Sequence, residues 1–208
     1  MKKILSGLIL IMVIVCQPLN LRAQEGKDYR FTIKTNPMAA LGGPIFIVFI
    51  PITGEYKVLF EARTFEKQSL EVGASYLGPS LLLNLDEIAD STSNIKTSGF
   101  RIQAAYKIFL TQTSAPNGFF VGPHISYATA TIKNKDNPAD YIDATKINFN
   151  IIFGYQLITS GGFTLNIYTG LGYKLRDYDI PTDSDFDFDT INKSAPSVPF
   201  GVSFGFAF

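Results

Sequence analysis

The sequence predicts an all-β fold: an eight-stranded antiparallel up-and-down transmembrane β-barrel with short turns at one rim and longer loops at the other. Three observations predict it. Apolar residues alternate with small or polar ones at period two through most of the chain, and no stretch beyond the N-terminus keeps a helical period. The composition holds 18 Phe, 10 Tyr and 17 Gly with no Trp and only 17% charged residues, which suits strands and turns better than helices. The connections are mostly short at one rim and long at the other, as expected of a barrel with two unlike rims.

The first 23 residues read as a secretory signal peptide, leaving 24–208 as a single barrel domain. Lys2 and Lys3 form a charged start, Ile4 to Val15 an apolar run, and Leu21-Arg22-Ala23 a cleavage site before Gln24. Cys16 follows Val13, Ile14 and Val15, a poor match to a lipidation site. Cleavage after Ala23 removes Lys2, Lys3, Arg22 and Cys16, leaving 15 basic and 18 acidic side chains and no thiol. A near-neutral chain gives no electrostatic reason to bind nucleic acid.

The strands follow in order. Segments 29–41, 54–63, 68–78 and 119–132 alternate loosely. In 100–110, Phe100, Ile102, Ala104, Tyr106 and Ile108 oppose Arg101, Gln103, Ala105 and Lys107. In 145–157, Ile147, Phe149, Ile151, Phe153 and Tyr155 oppose Lys146, Asn148, Asn150 and Gln156, with Ile152 as an exception. In 163–176, Phe163, Leu165, Ile167, Leu171, Tyr173 and Leu175 oppose Asn166, Gly170, Gly172, Lys174 and Arg176. The last strand sets Phe200, Val202, Phe204, Phe206 and Phe208 against Gly201, Ser203, Gly205 and Ala207. Large apolar groups on one face and small ones on the other fit a strand between lipid and a crowded lumen. Short turns are expected near 65–67, 114–118 and 160–162, and long loops over 81–97, 133–143 and 177–196. Gly42-Gly43-Pro44 marks a first, short connection at the long-loop rim. Pro51 and Pro123 fall nearer strand interiors, where a bulge or a rim position is expected.

The same alternation assigns a polar interior of Arg30, Lys34, Glu55, Lys57, Glu61, Arg63, Glu71, Arg101, Lys107, Lys146, Lys174 and Arg176. Eight strands leave a lumen just wide enough for side chains to fill. The favoured reading is a packed, charge-compensated core; the excess of cations offers a narrow anion path as the alternative.

The loop 177–196 carries Asp177, Asp179, Asp183, Asp185, Asp187 and Asp189, interleaved with Phe186 and Phe188. Asp183 to Asp189 form a contact surface for a protein partner in one reading, and a solvated acidic loop in the plainer one. A Ca²⁺ site would need oxygen ligands in a suitable arrangement, but the spacing matches no EF-hand, so no metal or cofactor is expected.

Several resemblances add to this reading. The C-terminal Phe204-Gly205-Phe206-Ala207-Phe208 resembles the signal by which outer-membrane proteins are recognised for barrel assembly, with Phe204, Phe206 and Phe208 as its aromatic positions. In topology the mature chain resembles the OmpA transmembrane domain. Lys34-Thr35-Asn36-Pro37, Gly118-Phe119-Phe120-Val121-Gly122-Pro123 and Gly170-Leu171-Gly172-Tyr173 resemble small outer-membrane barrels of Bacteroidota. These resemblances imply an outer-membrane location, lipid as the surroundings and the barrel assembly machinery as a partner in biogenesis; they imply no activity. His124-Ile125-Ser126 is similar to the His-x-Ser pair of outer-membrane lipid A deacylases, but Tyr127-Ala128 departs from that family's pattern, and alternation points His124 inward. No catalytic residue is therefore assigned.

The expectation is a non-enzymatic outer-membrane barrel acting as a structural or interaction platform through its extracellular loops. The alternatives are a soluble periplasmic lipocalin-like barrel, a lipid A-modifying enzyme and a narrow channel.

Overall fold

The computed structural model describes residues 28–40, 53–79, 95–111, 113–134, 141–179 and 194–208. The strands are β1 (Phe31–Thr35), β2 (Thr53–Phe65), β3 (Gln68–Pro79), β4 (Ile95–Phe109), β5 (Gly118–Asn134), β6 (Tyr141–Ile158), β7 (Phe163–Asp179), β8 (Ser194–Ser197) and β9 (Phe200–Ala207), with one helical turn, α1 (Pro37–Ala40). Each strand from β1 to β7 pairs antiparallel with the next. β9 pairs with both β7 and β1, which closes the sheet into a barrel. β8 and β9 lie successively along β7 and form one broken eighth strand. Pro199 stands in the break, where its missing N–H removes a ladder bond, and its carbonyl accepts a bond from the Thr169 hydroxyl at 3.1 Å.

Alternation along each strand becomes two faces. Leu171 (67% exposed), Val58 (59%) and Ile151 (55%) stand outward with most of the other large apolar side chains, whereas Lys34, Lys107, Glu61 and Gln156 are buried inside. Outward aromatics gather towards both ends of the wall. Phe31 packs against Phe60 and Phe208 at the short-turn end; Tyr56 meets Tyr76 and Phe100 meets Tyr127 towards the other.

The structure corrects several expectations. The first strand ends at Thr35 rather than 41, because Asn36 caps a helical turn: its side-chain oxygen accepts from the Ala39 N–H at 3.1 Å, with Pro37 at the first helical position. The first connection is accordingly long, since β2 begins only at Thr53. Gly42-Gly43-Pro44 and Pro51 lie outside the described residues. Pro123 causes no bulge; it faces outward, paired with Ile151, and the β4–β5 register is unchanged on either side of it. Arg30 is not interior: it lies before β1 with its side chain 68% exposed, 3.8 Å from Asp28. Arg63 keeps the inward face, opposite the buried Ser69, at the short-turn rim, where it also pairs with Asp28.

At that rim the turns interlock. The Ala115 N–H donates to the Glu66 carbonyl at 2.8 Å, and Lys67 Nζ donates to the carbonyls of Thr111 and Thr113. Ala115 and Pro116 are fully buried, so the β4–β5 turn folds inward across the mouth. Beside it Phe109, Phe120, Ile152, Ala105 and Ala115 form an apolar cluster, which accounts for Ile152 breaking the inward-polar pattern.

Candidate functional site: a basic vestibule above a neutral ion cluster

Strand register sorts the inward side chains into rows. One row towards the long-loop end runs Lys57, Ser75, Arg101, Ala128, Lys146, Arg176 across five successive pairings. The next row is Leu59, Gly73, Gln103, Ser126, Asn148, Lys174, and below it come Glu61, Glu71, Ala105, His124, Asn150, Gly172. Five cations therefore lie in the two rows on the long-loop side of the row that holds Glu61, Glu71 and His124, with Glu55 one step further out.

The carboxylates meet two lysines that enter from β1 and β4. Lys34 Nζ contacts Glu61, and lies 2.6 Å from Glu71 Oε2 and 2.8 Å from Gln156 Oε1. Lys107 Nζ lies 2.6 Å from Glu71 Oε2 and 3.3 Å from Glu61 Oε2, over the face of Phe120 at 4.8 Å. Ser69 and Thr32 donate their hydroxyls to Glu61, and Gln156 Nε2 donates to the Pro116 carbonyl at 2.7 Å. Two positive and two negative charges cancel, and each carboxylate receives several hydrogen bonds, the condition for holding buried charge. Quartet, apolar cluster and inward turn together fill the short-turn half of the lumen.

The long-loop half is different. A cavity of about 430 Å³ is lined by Lys57, Arg101, Lys146, Lys174, Glu55, His124, Ser126, Asn148, Asn150 and Tyr168, together with Asn36 and Ala39 of the helical turn and 197–200. Four cations face one carboxylate. Glu55 is shared: Lys57 Nζ lies 3.2 Å from it, Arg101 pairs with its other oxygen, and Ser75 donates to it at 2.6 Å. Lys146 and Lys174 have no carboxylate within ion-pair distance among the described residues. His124 Nδ1 meets Asn150 Nδ2 at 3.1 Å, and Asn148 Nδ2 donates to Ser126 Oγ at 2.9 Å. His124 Nε2, Asn148 Oδ1, Asn150 Oδ1 and Arg101 Nε are buried without a hydrogen-bond partner among the described residues.

Comparison with protein-family models, with curated proteins and with solved structures returns no match. Geometry alone therefore bears on function. The expected interior residues Glu55, Lys57, Glu61, Glu71, Arg101, Lys107, Lys146 and Lys174 face the lumen, and Arg176 completes the row of Lys57, Arg101 and Lys146. They divide into a neutral cluster and a basic vestibule, a division that alternation does not reveal. Phe206 and Phe208 stand outward, and Phe204 packs on Phe163 at 6.4 Å. Asp183, Asp185, Phe186, Asp187, Phe188 and Asp189 lie outside the described residues, as does the N-terminal segment 1–27. His124 and Ser126 share the lumen face, but each hydrogen-bonds to an asparagine rather than to the other. Tyr168 lines the vestibule and packs on the apolar cluster, and nothing in its sequence neighbourhood marks it as part of a site.

Proposed function

We propose that the chain is an integral outer-membrane β-barrel without enzymatic activity, serving as a structural or interaction platform through the loops of its long-loop rim. One observation carries the membrane part: large apolar side chains cover the outside of the wall while charged and amide groups fill the inside. A lipocalin-like barrel needs the reverse, an apolar interior and a polar exterior. Water would penalise this exterior, whereas hydrocarbon accepts it, and closure leaves no strand edge for lipid to satisfy. The aromatic clusters towards both ends of the wall suit the two interfaces of a bilayer.

Lumen filling favours a platform over a narrow channel, since passage requires the buried Lys34–Glu61–Glu71–Lys107 cluster to part. The inward direction of His124 and Ser126 disfavours chemistry on a lipid outside the wall. In this reading the signal peptide delivers the chain across the inner membrane, and the terminal phenylalanines engage the assembly machinery.

The membrane part is tested by refolding the mature chain into phospholipid vesicles and comparing boiled with unboiled gel mobility. A boiling-dependent shift with protease protection of the wall is expected; a chain that folds without lipid or detergent would overturn the reading. The platform part is tested in cells by photo-crosslinking from Phe186 and Phe188. Reproducible capture of one protein is expected, and an inserted barrel that captures nothing would remove it.

A further inference from the structure

We infer that the vestibule is a binding site for a phosphorylated sugar. The inference rests on the closed fold and the lumen geometry, and stands whether or not the outside of the wall meets lipid.

The charge at the site is built in rather than incidental. Lys57 and Arg101 are held over Glu55, whose single carboxylate cannot neutralise both. Lys146 and Lys174 come from neighbouring strands, with Lys174 paired to Asn148 and Lys146 to Arg176 across the β6–β7 ladder. Placing like charges side by side on one inner wall is unfavourable unless an anion shares the space. The surplus of three positive charges on the lining suits a dianion better than a monoanion, which selects phosphoryl over a single carboxylate. Arg and Lys together supply the forked and point-charge contacts that phosphate oxygens accept.

The second half of the recognition is polar and uncharged. Asn148 and Asn150 are each more than nine-tenths buried and line the cavity, and each uses its amide nitrogen on a neighbour. Their carbonyl oxygens are left as acceptors without a protein donor, and His124 Nε2 is likewise unpartnered. A buried acceptor without a donor is costly, and a row of them beside a cation cluster matches a ligand carrying hydroxyl donors next to its anionic group. The cavity, about 430 Å³, falls within the range of small-molecule sites.

The test uses the folded mature barrel in zwitterionic detergent, its fold checked by the boiling-dependent gel shift, and isothermal titration with glucose 6-phosphate, inorganic phosphate and glucose. Expected are saturable binding of glucose 6-phosphate, at least tenfold weaker binding of inorganic phosphate and no binding of glucose. The double substitution K146Q/K174Q should weaken glucose 6-phosphate at least tenfold. Asn148→Leu should weaken it while leaving inorganic phosphate unchanged, a split that general damage to the fold would not produce. No saturable heat with a demonstrably folded barrel overturns the proposal, as does binding indifferent to K146Q/K174Q. Equal affinity for the sugar phosphate and inorganic phosphate removes the sugar. Phosphatidylglycerol added to the micelles separates the two sources of the phosphoryl group: competition assigns the site to a lipid headgroup, and its absence to a free sugar phosphate.

Discussion

The ring of Tyr168 lies across Gly201: a methyl group built on Gly201 would stand 2.4 Å from Cε1 of the ring and 2.7 Å from its hydroxyl oxygen. On the other flank, a methyl on Gly154 would come 2.7 Å from Tyr168 Cβ. Register places Tyr168 directly between these two glycines, so one large inward side chain fills the room that three positions would otherwise share. Gly201→Val should therefore force the ring away and destabilise the barrel by about 1–3 kcal/mol, the usual range for overpacking. Denaturant unfolding in detergent checks this, and Tyr168→Ala in the same chain should recover part of the loss.

The buried quartet predicts a strongly non-additive pair. Lys107→Met leaves Glu71 and Glu61 sharing Lys34 alone, and should cost about 3–5 kcal/mol, as breaking a buried ion pair does. K107M combined with Glu71→Met keeps one lysine with one glutamate and restores neutrality. The double variant should then be more stable than the sum of the single losses, and equal additivity in a double-mutant cycle would refute the quartet.

The outer wall distinguishes lipid from water. Ile151, 55% exposed near the middle of β6, becomes in Ile151→Arg a charge at bilayer depth, with an expected loss of about 2–4 kcal/mol for folding into vesicles. Leu110 lies just past β4 at the short-turn rim and is 61% exposed; Leu110→Arg there should cost about 0–1 kcal/mol. Equal tolerance of both changes would argue that the wall faces water.

At the short-turn rim, hydrogen bonds from the Arg63 guanidinium hold the Asp28 carboxyl below its ordinary value. A lowered folded-state pKa means that the pair stabilises the fold above the ordinary carboxylate range. That contribution is lost as pH falls through the depressed pKa. NMR titration of the Asp28 carboxyl should give a midpoint below 3.8, moving back towards it in high salt because the pair is exposed. Asp28→Asn should remove this part of the acid dependence.

Alternation makes a side chain's face legible but not its height along the barrel axis. That is why Lys34, Lys107, Lys146 and Lys174 read alike as interior cations. Height depends on stagger between strands, and the contact between Lys34 and Glu61 joins residues 27 apart in sequence. Alternation extends to Arg30, one residue before pairing with β2 begins at Phe31. It also runs on past β1 into an apolar stretch, within which Asn36-Pro37 is the helix-start signal that ends the strand. Ile152 had a visible sign, its violation of the pattern, but the residues that receive it lie on β4, β5 and the turn between them.

Closure of the wall between β1 and β9 rests on four ladder positions, Thr32 to Thr35 against Ala207 to Phe204, and on the reciprocal hydrogen bonds of Phe31 with Phe208 just beyond them, whereas β5 and β6 match along sixteen. These contacts also join the first and last strands of the barrel, the most expensive contacts to find in chain entropy. Assembly should therefore run from the long central hairpins outwards, with the seam as its last event. Amide hydrogens of Ile33 and Phe206 should in turn exchange before those of β5 and β6. Having a short zipper at the final step leaves a single narrow edge open until the ring is complete.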